Sequence, residues 1–147
     1  MSSLSTMPGR YLKPLPAVSD ENRPFFDALK HHQFVVPRCS DCGHYSWTPH
    51  PGCRTCLSDN IGWTPVSGRG TIYSFTVVHR GPGAFDFDVP YVVVLGELIE
   101  QPRPCLVLGN LVGTPSEELY IGMPIRLAFE EIPDEDITMW RWVAHQQ

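Results

Sequence analysis

A chain of 147 residues is the size of one domain, or of one small metal-stapled module joined to one small barrel. Its 16 acidic against 11 basic residues give a formal charge of −5, which leaves no electrostatic footprint for phosphate backbones and disfavours nucleic acid as a partner. Fifteen prolines and twelve glycines in a chain that is 42% hydrophobic point to short strands broken by turns, so a mainly β fold is expected.

Residues 1–20 carry Pro8, Pro14 and Pro16 among small and polar side chains, without the period of a helix or a paired strand, and read as an extended arm. The opening MSSLSTMPGRY has no basic segment followed by an apolar core. The longest apolar run, YVVVL at 91–95, falls far short of the about 20 residues a membrane span needs. A cytoplasmic protein with no membrane contact is therefore expected. Residues 21–33 read as an N-terminal helix: Ser19 or Asp20 can cap it, Pro24 suits its first turn, and Phe25, Phe26 and Leu29 recur at helical spacing. His31 and His32 then fall near its negative end.

From Phe34 the pattern changes, and residues 34–65 read as a zinc ribbon. FVVPR is a short strand, and CSDCGHYSWTPHPGCRTC follows with two C-x-x-C pairs, Cys39 with Cys42 and Cys53 with Cys56. Each pair places two sulfurs on one side of a knuckle, and two knuckles folded together complete a tetrahedral sulfur site for Zn²⁺. Gly43 after the first pair tolerates a positive φ, while Pro49, Pro51 and Gly52 steer the return. A redox role would require an accessible pair at a helix N-terminus in a βαβ setting, which these flanks do not supply. Four protein thiolates also leave zinc no open position for water or substrate, so the expected metal is structural. His44 and His50 could replace a ligand, but with four cysteines present they read as surface groups. GWTP at 62–65 reads as a turn with an aromatic lid that closes the ribbon.

Residues 66–147 read as a five-stranded OB-type barrel, with strands expected at 70–80, 91–99, 105–112, 123–130 and 137–143. Between the third and fourth, TPSEELYIG offers Thr114 or Ser116 as the cap of one helical turn before Gly122. Gly70, Gly96 and Gly109 fall where glycine marks the bulges and bends of barrel closure. No G-x-S-x-G, H-E-x-x-H, P-loop or G-x-G-x-x-G occurs, so no catalytic residue is assigned. His79 and Arg80 end the first strand and precede GPGAFDFDVPY with Phe85 and Phe87. That segment is either a plain hairpin loop or a docking surface of aromatics beside arginine. Cys105, inside PCLVLGNLV, reads as a buried small hydrophobe. Glu130, Glu131, Asp134, Glu135 and Asp136 around Pro133 read as a solvated hairpin turn. Trp140 and Trp142 share one face of the last strand, with core packing as their expected role.

Taken together, the helix with FFDAL, RCSDCGHYSWTPHPGCRTC, SGRGTIYSFTVVHR, DVPYVVVLGELIE, LVLGNLVG and IGMPIRLAFEEI resemble the zinc-ribbon plus OB-fold family associated with acyl-CoA metabolism, long labelled a domain of unknown function. The resemblance runs from about residue 22 to residue 142. It implies a rubredoxin-like ribbon liganded by Cys39, Cys42, Cys53 and Cys56, and an accessory role beside a thiolase-like acyltransferase or aldolase, or in some members a hotdog-fold hydratase. Chemistry resides in the larger partner, and the family supplies no catalytic residue. Partner or ligand contacts are expected at Arg69, His79, Arg80, Phe85 and Phe87. Two alternatives stand beside this reading. One is an acyl-CoA-binding protein using the OB face, for which Arg69, His79, Arg80 and Arg103 are the obvious bases. The other is a single-stranded nucleic-acid module in which Tyr73, Phe75 or Phe85 stacks bases, against which the acidic charge speaks.

Overall fold

The computed structural model describes residues 3–4, 13–81, 88–100, 105–132 and 134–145. Within them the chain runs β1 (Ser3–Leu4), α1 (Arg23–Lys30), β2 (Phe34–Cys39), β3 (Ile61–Val66), β4 (Arg69–Val78), β5 (Tyr91–Leu98), β6 (Leu106–Leu111), a 3₁₀ turn (Ser116–Glu118), β7 (Pro124–Ile132) and β8 (Ile137–Ala144).

An eight-residue helix is too short to persist alone in water, so α1 is held by what it packs against. Phe25, Phe26 and Leu29 are buried, each worth about 1.5–3 kcal/mol of apolar transfer. Pro24 lies in the first turn as expected, but the cap residue is Asn22 and not Ser19 or Asp20. The Asn22 side chain caps nothing; its Oδ1 accepts the Ser19 amide at 2.7 Å and its Nδ2 donates to the Ala17 carbonyl, bending the approach to the helix. The helix stops before 33 because His32 turns left-handed at φ 56°.

β2 and β3 pair antiparallel over their full lengths, from Phe34 opposite Val66 to Cys39 opposite Ile61. Residues 62–65 are therefore strand and not the expected turn. Pro37 and Pro65 are tolerated because, among the described residues, this sheet has two strands, each free to present a proline along its outer edge.

The other strands close in the order β7-β4-β5-β6-β8, with β7 and β8 sealing the ring. All of these pairings are antiparallel except β6 with β8, which meet at Leu111 and Trp142. This is the five-stranded OB barrel anticipated above. Residues 3 and 4 of the arm add a parallel contact to Phe129 and Glu130 of β7, a pairing its composition gave no reason to expect.

The glycines serve packing more than bending. The register shift in β4 falls between Ile72 and Ser74, opposite Gly96 and Leu95 of β5, so of the three glycines Gly96 sits at a bulge as expected. A Cβ on Gly70 would collide with the Glu97 carbonyl, and Cβ atoms on Gly96 and Gly109 would run into the indole of Trp142. Trp142 is fully buried in the room those two residues leave, and its Nε1 donates to the Val107 carbonyl at 3.2 Å. Its neighbour Trp140 donates to the Leu108 carbonyl at 2.9 Å and packs towards α1. The single 3₁₀ turn is present as expected, though it follows Pro115 without a side-chain cap.

The acidic hairpin is more than solvated surface. Glu130 pairs at 2.8 Å with Arg141, whose side chain is only 9% exposed. Asp136 pairs with Lys30 of α1 at 3.0 Å, and Glu131 meets His32 at 3.3 Å while the His32 ring stacks on Phe129. Exposed pairs of this kind contribute about 0–1 kcal/mol each, so they fix the helix orientation on the barrel more than they stabilise it.

The shape of the Trp142 pocket makes a direct prediction. Gly96→Ala overpacks the barrel and should lower unfolding free energy in urea by about 1–3 kcal/mol. Gly62→Ala, where a Cβ meets nothing within 4 Å, should leave it within about 0.5 kcal/mol.

Candidate metal centre

The end of β2 delivers Cys39 into a turn that returns at once: the Cys39 amide donates to the His44 carbonyl and the Gly43 amide to the Cys39 carbonyl. The second knuckle repeats this geometry, with the Cys53 amide on the Ser58 carbonyl and the Leu57 amide on the Cys53 carbonyl. Gly43 has φ 77° and Leu57, at the matching place, φ 65°. The expectation for Gly43 holds. Leu57 was not anticipated, yet the equal spacing of the two pairs carries the signal: what the first knuckle asks of the residue after its second cysteine, the other asks too.

Folded together, the knuckles bring all four sulfurs within 4.8 Å of one another, with Cys39 to Cys56 at 3.6 Å and Cys42 to Cys53 at 3.5 Å. Zn–S bonds of about 2.3 Å in a tetrahedron imply sulfur separations of about 3.8 Å. The set fits the ion, and each sulfur also receives backbone N–H groups in a repeated pattern. Cys39 faces the amides of Cys42 and Asp41, and Cys53 those of Cys56 and Thr55. The amide of His44 faces Cys42, and that of Ser58 faces Cys56.

The electrostatics explain why a cation belongs there. The Cys56 and Thr55 amides bring the Cys53 thiol down to about 6, and the Cys42 and Asp41 amides lower Cys39. For Cys42 the His44 amide pulls down, but burial and the three neighbouring sulfurs outweigh it and push the thiol up to about 12. Cys56 is likewise raised: burial and the nearby Cys39 and Cys53 sulfurs prevail over the Ser58 amide. Two thiols are thus lowered and two raised, and a metal cation at the centre is what lets all four serve as thiolates.

Side chains outside the four complete the cradle. Asp41 Oδ2 accepts from the Ser58 hydroxyl and from Asn60 Nδ2, tying one knuckle to the other, and these bonds hold its carboxyl below the usual range. Arg38 donates Nε to the Gly43 carbonyl at 3.2 Å with its guanidinium over the Tyr45 ring. His44, read from sequence as a surface group, lies with Nδ1 3.2 Å from Cys42 Sγ, beside the site and outside its four ligands. With four thiolates closing the shell, the centre offers a metal no position for substrate; what it supplies is structure.

The remaining candidates do not converge. Arg69 opens β4 while His79 and Arg80 follow its other end, about 30 Å of strand away, so they form no common site. All three are exposed. Phe85, Phe87 and Arg103 lie outside the described residues. Tyr73 is half exposed and Phe75 half buried. Cys105 is buried, and burial followed by the charge of Glu100 pushes its thiol up to about 12, as befits a packing residue. No helix among the described residues is long and apolar enough to cross a membrane.

Comparison with known families matches residues 26–62 to the ChsH2 rubredoxin-like zinc ribbon domain and residues 63–130 to the ChsH2 C-terminal OB-fold domain. A DUF35 domain-containing scaffold protein of Methanocaldococcus jannaschii is 31% identical over 99 residues, 67% of this chain and 68% of that protein. The chain belongs to the ChsH2/DUF35 family. Within that family it is also similar to the 3-oxo-4,17-pregnadiene-20-carboxyl-CoA hydratase alpha subunit of Mycobacterium tuberculosis, 35% identical over 125 residues, 85% of this chain and 39% of that one. Benzoylsuccinyl-CoA thiolase subunit BbsA of Geobacter metallireducens is 30% identical over 100 residues, 65% of this chain and 66% of the subunit. Among solved structures, a chain of the Ltp2-ChsH2(DUF35) aldolase superposes with a TM-score of 0.76 at 33% identity, covering 88% of this chain and 98% of that one. The chain spans about two fifths of the length of the hydratase subunits it matches.

Two measurements check the centre. Metal analysis should find one zinc per chain, and a chelator that removes it should shift tryptophan fluorescence, because Trp47 lies in the loop between the knuckles and packs on Phe25. Gly43→Ala should cost about 1–2 kcal/mol and weaken metal retention in chelator competition, whereas Leu57→Gly should retain the metal at least as well as the unaltered chain.

Proposed function

We propose that this chain is a non-catalytic accessory subunit that docks on a thiolase-like acyltransferase or aldolase and works with it on acyl-CoA substrates in the cytoplasm. The observation that carries the reading is the match over 98% of a chain of the Ltp2-ChsH2(DUF35) aldolase. Relatives named as a thiolase subunit and as a scaffold protein point the same way. The chemistry of the chain agrees: its metal shell is closed, its described cysteine outside that shell is buried with a raised thiol, and its barrel interior is filled by Trp142. Nothing in that set activates a nucleophile or a water. Arg69 and the His79–Arg80 end of β4, with Phe85 and Phe87 beyond it, serve in this reading as contacts to the partner. A hotdog-fold hydratase is the second kind of partner, favoured by the relative named as a hydratase alpha subunit.

A tagged chain recovered from its native cells tests the proposal. A thiolase-like protein should remain bound in stoichiometric amount through gel filtration. The isolated chain should show no turnover of acyl-CoA substrates, and the recovered enzyme should lose activity or stability when the small chain is withheld. A chain that elutes alone and binds acyl-CoA by calorimetry would replace this reading with that of a ligand carrier.

A further inference from the structure

β5, YVVVLGEL, is apolar on both sides, a pattern that strands adopt when both faces of a sheet are covered. Inward, Val92, Val94 and Leu98 are buried in the barrel around Trp142. Outward, Val93 and Leu95 are partly buried, and Glu97 follows them on the same side. Leu95 stands opposite Ser74 of β4 on one side and Leu108 of β6 on the other, and Leu108 is 53% exposed. The register shift between Ile72 and Ser74 inserts Tyr73 beside this row, 51% exposed. Next to Ile72 runs the turn into β7, held by the Gly122 amide on the Ile72 carbonyl and the Ile72 amide on the Met123 carbonyl. That turn carries Tyr120 at 57% and Ile121 at 62% exposure.

We infer that this outer face, centred on Leu95 and Leu108 and extended by Tyr73, Tyr120 and Ile121, is the surface on which the thiolase-like partner sits, an inference that rests on the accessory-subunit reading. Area decides what kind of occupant fits. A large side chain buries about 150–250 Å², so four that are half exposed offer roughly 400 Å² of surface to cover. A standard interface takes about 800 Å² from each partner, a little over half of it apolar, which matches this face. Obligate dimers of identical chains commonly bury well over 1,000 Å² per chain, more than this face can supply. Composition agrees with a hetero-interface core, aromatic and aliphatic at its centre with Glu97 at its border. β5 is also hydrogen-bonded along both edges, so a partner cannot add a strand to it and must pack on side chains.

The test uses the full chain and the thiolase-like protein recovered with it, with three variants. Leu108→Asp and Ile121→Asp each alter the face, and Leu15→Asp alters the segment ahead of α1, where Leu15 is 40% exposed. Zinc content and melting temperature equal to those of the unaltered chain establish folding. Binding measured by calorimetry should weaken at least tenfold for the first two and stay unchanged for Leu15→Asp. If both face variants bind like the unaltered chain, the face is wrong while the accessory role stands. If the unaltered chain binds no thiolase-like protein, the accessory role itself fails. A self-associated chain that Leu108→Asp converts to monomer, with the heteromeric complex unchanged, would assign the face to a second copy and overturn the inference.

Discussion

The Phe25 ring holds the three parts of this chain against one another. It lies 5.2 Å from Phe34 and 5.9 Å from Trp63 on the two ribbon strands, 4.9 Å from Trp47 between the metal knuckles, and 5.3 Å from Trp140 on the barrel. Aromatic pairs at such distances contribute about 0.5–1.5 kcal/mol each beyond their buried area. A ribbon of this size has too little core to fold on apolar burial alone. The metal and this nest supply the remainder, and they are linked, because the loop that presents Trp47 is the one the two knuckles close. Helix, ribbon and barrel therefore form one packed unit, although sequence spacing suggests a module attached to a barrel.

Gly96 and Gly109 form a slot that Trp142 fills, and beside that packed centre a cavity of about 500 Å³ remains, lined among others by Val77, Val92, Leu111 and Arg141. The buried ion pair of Arg141 with Glu130 is satisfied by its own geometry, and Arg141 also donates to the Trp140 carbonyl. Polar groups placed this way specify how β7 and β8 sit against each other.

Much of this was legible in the residues. The four cysteines declare themselves by spacing, the barrel strands by alternation between turn residues, and the buried face of α1 by Phe25, Phe26 and Leu29. What stayed hidden depends on partners far away in the chain. Gly62 and Pro65 argue for a turn on local grounds, yet β2 recruits residues 61–66 as its strand partner, and tertiary pairing overrides propensity. Gly96 and Gly109 read equally as bends or as clearance, and only the position of Trp142, 46 and 33 residues further on, decides between them. The acids around residue 133 read as solvent-facing because nothing local names Lys30, His32 or Arg141 as their counterparts.

The outer face of β5 is the case in which sequence and structure have to be read together. Alone, the run from Tyr91 to Leu95 says only that the strand is apolar throughout, which equally suits a strand buried on both faces or a short buried helix. The barrel removes the second choice and satisfies half of the first: it covers Val92 and Val94 and leaves Val93, Leu95 and Leu108 facing outward. A barrel exterior meant for water would alternate, with polar residues at those positions, as Thr76 and Ser74 do on the neighbouring strand. The alternation holds on β4 and lapses at Val93 and Leu95 of β5 and at Leu108 of β6, with polar Asn110 and Glu97 on either side. An apolar row bounded by polar residues is the pattern of an interface core within its rim, and the inference about this face stands on it.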